Sequence, residues 1–226
     1  LKTLRPSLPE RESAYLQEDQ LKRLLAYSEG KEFEIAIWLG SLCGLRVGEV
    51  QALKWKNVDL ERGEIYVRST YVRREKRFKD YPKGKRWHKV SLPSELAVKL
   101  GSMTQNNSED FVVKSPESEF LNYDWYLATL KRYCREIGIP EIPTHGLRHS
   151  ASGLYMAHGA SSDDMKGFFA HSSATVTARY IHDNRGKIDE IASSIILFPK
   201  KEGGGQASQI LPEMEDDALD AKTGTC

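Results

Sequence analysis

The spacing of apolar residues changes once along the 226-residue chain, and this change constrains the fold most strongly. Over most of the chain, as in "QLKRLLAYS" and "DWYLATLKRYC", apolar residues recur at helical spacing. From residue 63 to residue 92 the pattern alternates instead, with "GEIYVRSTYVRREKRF" predicted as one strand and "WHKVSL" as a returning strand after a turn at Pro82 to Gly84. The sequence therefore predicts a mainly α-helical domain with a small antiparallel β-sheet or hairpin insert.

Residues at the ends of the apolar runs predict where helices stop and start. Gly30 and Gly44 follow the first two runs and are typical of helix C-termini, and Thr144, after Pro143, is a candidate N-cap. The final predicted helix carries an apolar stripe of Ile188, Ile191, Ala192 and Ile195. We expect this stripe either to pack on its own domain or to dock on a neighbouring protomer.

Composition excludes several classes of protein. Hydrophobic residues make up 39% of the chain and charged residues 29%, as in a soluble globular domain, and no apolar run approaches the ~18 residues of a membrane span. Cys43, Cys134 and Cys226 are odd in number and far apart, which argues against a disulfide framework or a zinc site. We therefore expect a cytoplasmic protein that does not contact a membrane.

The net charge of +1 conceals a strong polarity along the chain. Residues 62–89 hold eleven Lys or Arg against three acids, a balance of +8, whereas residues 201–226 hold two against six, a balance of −4. The basic run is either a solvated face or a surface for a polyanion such as DNA. The candidate DNA-binding residues in it are Arg73, Arg74, Lys76, Arg77 and Arg86. The acidic tail is predicted to be disordered or to bind a partner.

Two motifs place arginine and histidine where they could hold a phosphate. In "CGLRVGEVQ", Arg46 opens a helix, where backbone N–H groups favour anions, although pairing with Glu49 would equally tie two helices together. In "THGLRHS", His145, Arg148 and His149 lie close to one helical face. The arginine on this face repels a cation, and no Glu follows the first His, so no metal site is expected.

Two further stretches hold groups that could react. In "FFAHSSATVTARYIH", His171 precedes a predicted helix and Tyr180 follows nine residues later, where a lone tyrosine would ordinarily fill a core. In "YPKGKRW", a lysine in a glycine turn is either solvated or a mobile acid that reaches a site. Each motif alone is weak.

Taken in order, the arginine of "GLRVGE", the turn lysine, "HGLRH" and "HSSATVTARY" resemble the catalytic domain of the tyrosine recombinases, the phage-integrase family. The resemblance runs from about Tyr15 to Phe198 and implies the DNA breaking-rejoining fold of that family. It implies that Tyr180 attacks a DNA phosphodiester to form a 3′-phosphotyrosine. Arg46, Arg148 and His171 match the positions that contact the phosphate.

The remaining catalytic positions are also filled. By resemblance, His145 transfers a proton near the tyrosine hydroxyl, and Glu49 orients Arg46. By the same resemblance, Lys83 matches the lysine that protonates the leaving 5′-oxygen. It lies eight residues before Ser91, at which position the hairpins of the family usually have Pro. Lys85 is the alternative. No cofactor is implied, since these side chains supply the positive charge that magnesium gives other phosphoryl-transfer sites.

The resemblance also implies a domain plan and a function. Residues 1–14 would be a linker from an N-terminal DNA-binding domain, residues 15–199 the catalytic domain and residues 200–226 the acidic tail. The expected function is a bacterial or phage-encoded, nucleoid-associated integrase, with viral genomes among the mobile elements that it would integrate or excise. It would bind double-stranded DNA at specific sites as a homo-tetramer, with accessory DNA-bending proteins. The alternatives are a type IB topoisomerase and a catalytically silent DNA-binding regulator.

Overall fold

The computed structural model describes residues 14–81, 87–103, 107–168 and 185–198. The helices in these residues are α1 (Glu18–Ser28), α2 (Glu34–Leu42), α3 (Val47–Ala52), α4 (Ser94–Gly101), α5 (Tyr123–Glu136), α6 (Thr144–Ala157), α7 (Ser162–Phe168) and α8 (Arg185–Ser194). The strands are β1 (Val58–Asp59), β2 (Glu64–Val67), β3 (Thr70–Val72), β4 (Arg77–Lys79) and β5 (His88–Ser91). The predicted mainly α-helical domain with a small antiparallel insert is thus confirmed.

The strands form two separate antiparallel sheets rather than one. The first has the order β1-β2-β5, and the second contains only β3 and β4. The returning strand was correctly predicted. The prediction of one continuous strand before it was wrong, because the chain leaves the first sheet after Val67. There the Ser69 hydroxyl donates a hydrogen bond to the Ala52 carbonyl, and β3 then packs against α3.

Helix α2 lies at the centre of the core. Its residues from Ala36 to Leu42 are all buried, which explains why nearly every position in that run is apolar or small. Helix α6 packs closely on α2, since a Cβ added at Gly40 would lie 3.2 Å from Leu147 Cδ1. The predicted glycine stops are also present, because Gly30 and Gly44 both adopt positive φ values after α1 and α2.

The apolar stripe of α8 is buried within this chain. Helix α8 packs on α6, α7 and β5, and the exposed fractions of Ile188, Ile191, Ala192 and Ile195 are all 7% or less. Of the two alternatives predicted for this stripe, the structure shows packing on its own domain.

Thr144 does not cap α6 as predicted. It is the first helical residue, the N-cap position is taken by Pro143, and no side-chain cap is made there. The ring of Pro143 restricts φ, and its ψ of 164° keeps it outside the helix, so the helix starts at the next residue without a side-chain acceptor. In the part of the chain that the structure describes, no helix is both long enough and apolar enough to cross a bilayer.

Candidate functional site

Arg46 is fixed at the N-terminus of α3 by a buried carboxylate. Arg46 is the N-cap residue, and its backbone N–H donates to Glu49 Oε2 at 2.8 Å. Its Nη1 donates to Glu49 Oε1 at 3.0 Å. The Glu49 side chain is 1% exposed and that of Arg46 is 22% exposed. The carboxylate therefore orients the guanidinium, while part of the guanidinium remains open to solvent.

Arg148 reaches the same place from α6. Its side chain is buried, and Nη1 donates a hydrogen bond to the carbonyl oxygen of Gly44. Gly44 lies two residues before Arg46 and has a φ of +61°, a conformation that other residues rarely adopt. The turn between α2 and α3 thus brings together two arginines that are about a hundred residues apart in sequence.

Arg46, Glu49 and Arg148 lie close enough together to influence one another's charge. Burial and, to a lesser extent, the positive charge of Arg46 lower the pKa of Arg148 to about 10, because the negative charge of Glu49 only partly opposes these two effects. Arg148 nevertheless remains protonated at neutral pH. Two guanidinium groups therefore lie close together, that of Arg46 paired with Glu49 and that of Arg148 hydrogen-bonded to the Gly44 carbonyl, and such an arrangement is complementary to an anion with several oxygens, such as a phosphate.

His145 lies on α6 close to Arg148 and is exposed, so a substrate could reach it. Its ring meets that of His149 edge to face, with the centroids 4.6 Å apart. Burial and the charge of Arg148 lower the pKa of His149, which favours its neutral form at physiological pH. Of the predicted groups, Arg148 thus contacts the turn that carries Arg46, and His145 lies three residues before Arg148 on α6.

The family model described as the phage integrase family matches residues 14–187. The chain belongs to this family. It is 28% identical over 184 residues to the tyrosine recombinase XerA of Thermococcus kodakarensis, in a match that covers 77% of this chain and 60% of that protein. The chain therefore spans less than two thirds of the length of this relative.

Solved structures confirm the fold of this phage integrase family member. The integrase from mycobacterium phage Brujita has a TM-score of 0.65 at 18% identity and covers 89% of this chain and 64% of its own. The Tn1549 transposon integrase in complex with circular intermediate DNA has a TM-score of 0.60 at 16% identity, and the match covers 81% of this chain and 68% of that one. The fold is therefore that of the tyrosine recombinase catalytic domain.

Several predicted catalytic residues of this phage integrase family member lie outside the described residues: Lys83, Lys85, His171 and Tyr180. The candidate DNA-binding residue Arg86 also lies outside them. The helices on either side of residues 169–184, α7 and α8, both pack on α6, the helix that carries His145 and Arg148. In the ranges that the structure does describe, no group of three or more His, Cys, Asp or Glu side chains could hold a metal ion.

The basic run of this family member is divided between internal contacts and open surface. Arg73 pairs with Asp124 at 2.8 Å, and its guanidinium carbon lies 3.9 Å from the centre of the Tyr123 ring. Arg77 pairs with Glu75 at 2.6 Å. Arg74 and Lys76 are exposed, and within the described ranges neither makes an ion pair. Arg74 and Lys76 are therefore available to an anionic partner, whereas Arg73 and Arg77 already form ion pairs within the protein.

Sequence reasoning missed two contacts that shape the site. A Cβ added at Gly48 would lie 2.6 Å from the Tyr71 carbonyl oxygen, so β3 lies directly on the first turn of α3. Ser91 donates a hydrogen bond from its hydroxyl to Asp189 on α8. The glycine in "RVGE" and the serine in "VSLP" were the available signals, but neither identifies a partner that is distant in sequence.

Proposed function

We propose that this chain is the catalytic part of a site-specific DNA recombinase, an integrase that cleaves and rejoins DNA through a 3′-phosphotyrosine on Tyr180. The observation that carries the proposal is the convergence of Arg46 and Arg148, held in place by Glu49 and by the Gly44 carbonyl. Family membership supports it, because the family model extends over Tyr180 and both arginines.

In the proposed reaction, the phenol oxygen of Tyr180 attacks the phosphorus atom of a phosphodiester. A bond forms between that oxygen and phosphorus, and the bond from phosphorus to the 5′-oxygen breaks. Arg46, Arg148 and His171 donate hydrogen bonds to the non-bridging oxygens, where negative charge grows in the transition state. Rejoining reverses the step with a new 5′-hydroxyl as the attacking group, so no external energy source is required.

Proton transfers balance the charges of this step. His145 takes the proton of the tyrosine hydroxyl, and a lysine gives a proton to the leaving 5′-oxygen. Lys83 is proposed as this acid, with Lys85 as the alternative. The exposed position of His145 and its contact with His149 are compatible with such a role, because an open ring can approach a substrate while its neighbour restricts its orientation.

The partner in this proposal is double-stranded DNA at specific recombination sites, bound by four copies of the protein together with accessory DNA-bending proteins. The Tn1549 transposon integrase, which shares the fold, is described in complex with circular intermediate DNA, and this supports a mobile element as the substrate. The proposed catalytic domain is residues 15–199. Residues 1–14 would connect it to an N-terminal DNA-binding domain, and residues 200–226 would form an acidic tail.

The proposal is tested with a nicked suicide duplex that carries the recombination site. The chain should become covalently attached to the DNA, and Tyr180→Phe should not. Tyr27→Phe is the matched control, because Tyr27 lies on α1, where its hydroxyl donates a hydrogen bond to Glu136 and not to any proposed site residue, and it should keep the adduct. An adduct formed by Tyr180→Phe would refute the assignment. Relaxation of plasmids that lack the site, without exchange between sites, would indicate a topoisomerase instead.

A second substrate distinguishes the two candidate acids. When sulfur replaces the bridging 5′-oxygen, the leaving thiolate needs no proton, so the loss of the general acid no longer slows cleavage. Lys83→Ala should therefore be slow on the oxygen substrate and restored on the sulfur substrate, while Lys85→Ala should respond little to the exchange. The reverse pattern would assign the role to Lys85.

A further inference from the structure

The β3–β4 hairpin is an excursion of the chain between two strands that pair with each other. Strand β2 pairs with β5, and the hairpin (residues 70–79) occupies much of the connection between them. It forms its own two-stranded sheet and ends in a one-turn 3-10 helix, Arg73–Glu75, followed by Lys76. The hairpin is therefore not required to complete the first sheet.

The base of the hairpin is fixed beside the candidate phosphate site. Gly48, two residues after Arg46, is so close to Thr70 and Tyr71 that an added Cβ would lie 2.7 Å from Thr70 Oγ1 and 2.6 Å from the Tyr71 carbonyl oxygen. A strand of three residues rises about 10 Å at ~3.3 Å per residue. The distance from Arg46 to the hairpin turn is therefore comparable to the length of a few nucleotides of DNA.

An aromatic cluster holds the hairpin rigid. Tyr71 and Phe78, one from each strand, lie 5.0 Å apart between ring centroids, and Phe111 and Phe120 from the segment before α5 pack on them at 5.0 to 5.2 Å. Arg73 adds a second attachment through Tyr123 and Asp124. A turn held in this way loses little conformational freedom when it binds a partner.

The cations of the hairpin fall into two groups. Arg73 is used within the protein, and Arg77 and Lys79 both pair with Glu75. Arg74 and Lys76 are exposed at the turn, and across the described ranges neither has an acidic partner. Lys76 also has a φ of +49°, a left-handed conformation in which glycine or asparagine would be favoured. Lys76 therefore combines backbone strain with an exposed positive charge.

We infer that the β3–β4 hairpin is an arm that binds the DNA phosphate backbone next to the cleaved phosphate through Arg74 and Lys76. Arg73 acts as the anchor of this arm and does not bind DNA. The inference rests on the proposed function, since it takes the DNA to lie across Arg46 and Arg148. Phosphate contacts of this kind fix the register of the duplex without reading its sequence.

The test measures binding of a short DNA duplex in a Tyr180→Phe background, so that no covalent adduct contributes. The variant Arg74→Gln/Lys76→Gln is compared with Arg132→Gln/Arg135→Gln, which removes two exposed charges near the other end of α5. Each phosphate contact contributes about 0.9 to the slope of log K against log salt. The hairpin variant should lower the slope by roughly 2 and weaken binding about tenfold at moderate salt, and the control should change neither.

Equal salt slopes for the parent and the hairpin variant would overturn the inference while leaving the proposed function standing. An equal loss in the control variant would also overturn it, because the effect would then be one of net charge. A hairpin variant that kept DNA binding but lost binding to an acidic polyglutamate peptide would show that the partner is an acidic protein segment. No DNA binding by the parent would overturn the proposed function as well. Unchanged thermal unfolding midpoints verify that both variants are folded.

Discussion

The buried carboxylate of Glu49 accepts two hydrogen bonds from Arg46, one from its backbone N–H at 2.8 Å and one from its guanidinium at 3.0 Å. One side chain thus both caps helix α3 and aims a residue of the candidate site. The start of the helix and the position of the guanidinium are therefore fixed by the same contact. A change at Glu49 should affect both stability and catalysis.

Glu49→Gln should lower both the stability and the rate of DNA cleavage. An amide can still accept one hydrogen bond, but it loses the second acceptor and the charge, so we expect a stability loss of about 1–3 kcal/mol. The rate of covalent adduct formation on the suicide duplex should fall about tenfold or more, since Arg46 loses one of its two contacts with residue 49 and the charge that attracts it. Glu141→Gln removes an exposed partner of Arg135 and should change stability by less than about 1 kcal/mol. Equal effects of the two substitutions would contradict this prediction.

Arg148→Met should stabilise the free protein while it abolishes DNA cleavage. Because burial and the nearby charge of Arg46 lower the pKa of Arg148 to about 10 on folding, the charged side chain destabilises the folded state by roughly 3 kcal/mol at every pH below about 10. Methionine has a similar volume and no charge, so denaturant titration should show an increase in unfolding free energy of about 1–3 kcal/mol. A loss of stability would show that the hydrogen bond to Gly44 outweighs the burial of the charge.

His149 should make the protein less stable in acid. Its pKa is lowered on folding, so between the folded value and the unfolded value of 6.5 the unfolded chain binds more protons. The contribution of His149 to the free energy of unfolding is therefore fully present above a pH of about 6.5 and is lost as the pH falls toward the folded pKa. Unfolding free energies near pH 5 and pH 7.5 should differ less in His149→Gln than in the parent. An identical difference would show that other groups cause the acid sensitivity.

The helices and their ends could largely be predicted, because they depend on local patterns. The apolar run of α2, the positive-φ glycines that follow α1 and α2 and the stripe on α8 are all visible in the sequence and present in the structure. The N-terminus of α6 was misplaced by one residue, since an extended Pro143 and a possible Thr144 cap predict nearly the same boundary.

The hairpin could not be predicted in the same way. Residues 63–78 keep an alternating pattern across the point where the chain leaves the first sheet, so the sequence gives no local sign of the break after Val67. The break follows from long-range contacts, among them the close approach of Tyr71 to Gly48 and the packing of Phe78 on Phe111. Similarly, the order of the motifs indicated the roles of Arg46 and Arg148, but their shared turn at Gly44 required the structure.

Gly48→Ala should displace the hairpin. The new Cβ would lie 2.6 Å from a backbone oxygen, which cannot rotate away, so β3 or α3 must move, and we expect a stability loss of about 1–3 kcal/mol. Gly153→Ala is the matched control, because Gly153 lies within α6 and its nearest neighbour is 3.8 Å away. That substitution should stabilise the protein by about 0.5–1 kcal/mol. Opposite signs in thermal unfolding support the prediction, and two stabilising substitutions would contradict it.

Lys76→Asn should make the protein more stable but a weaker DNA binder. Lys76 has backbone angles of φ +49° and ψ +38°, where most side chains lose about 1 kcal/mol and asparagine loses less. The substitution should therefore raise the unfolding free energy by up to about 1 kcal/mol while it lowers the salt slope of DNA binding by about 0.9. Lys76→Arg separates the two effects, because it keeps both the charge and the backbone strain and should retain the parent slope. If Lys76→Asn gains stability without any loss of slope, the lysine has no role in binding DNA.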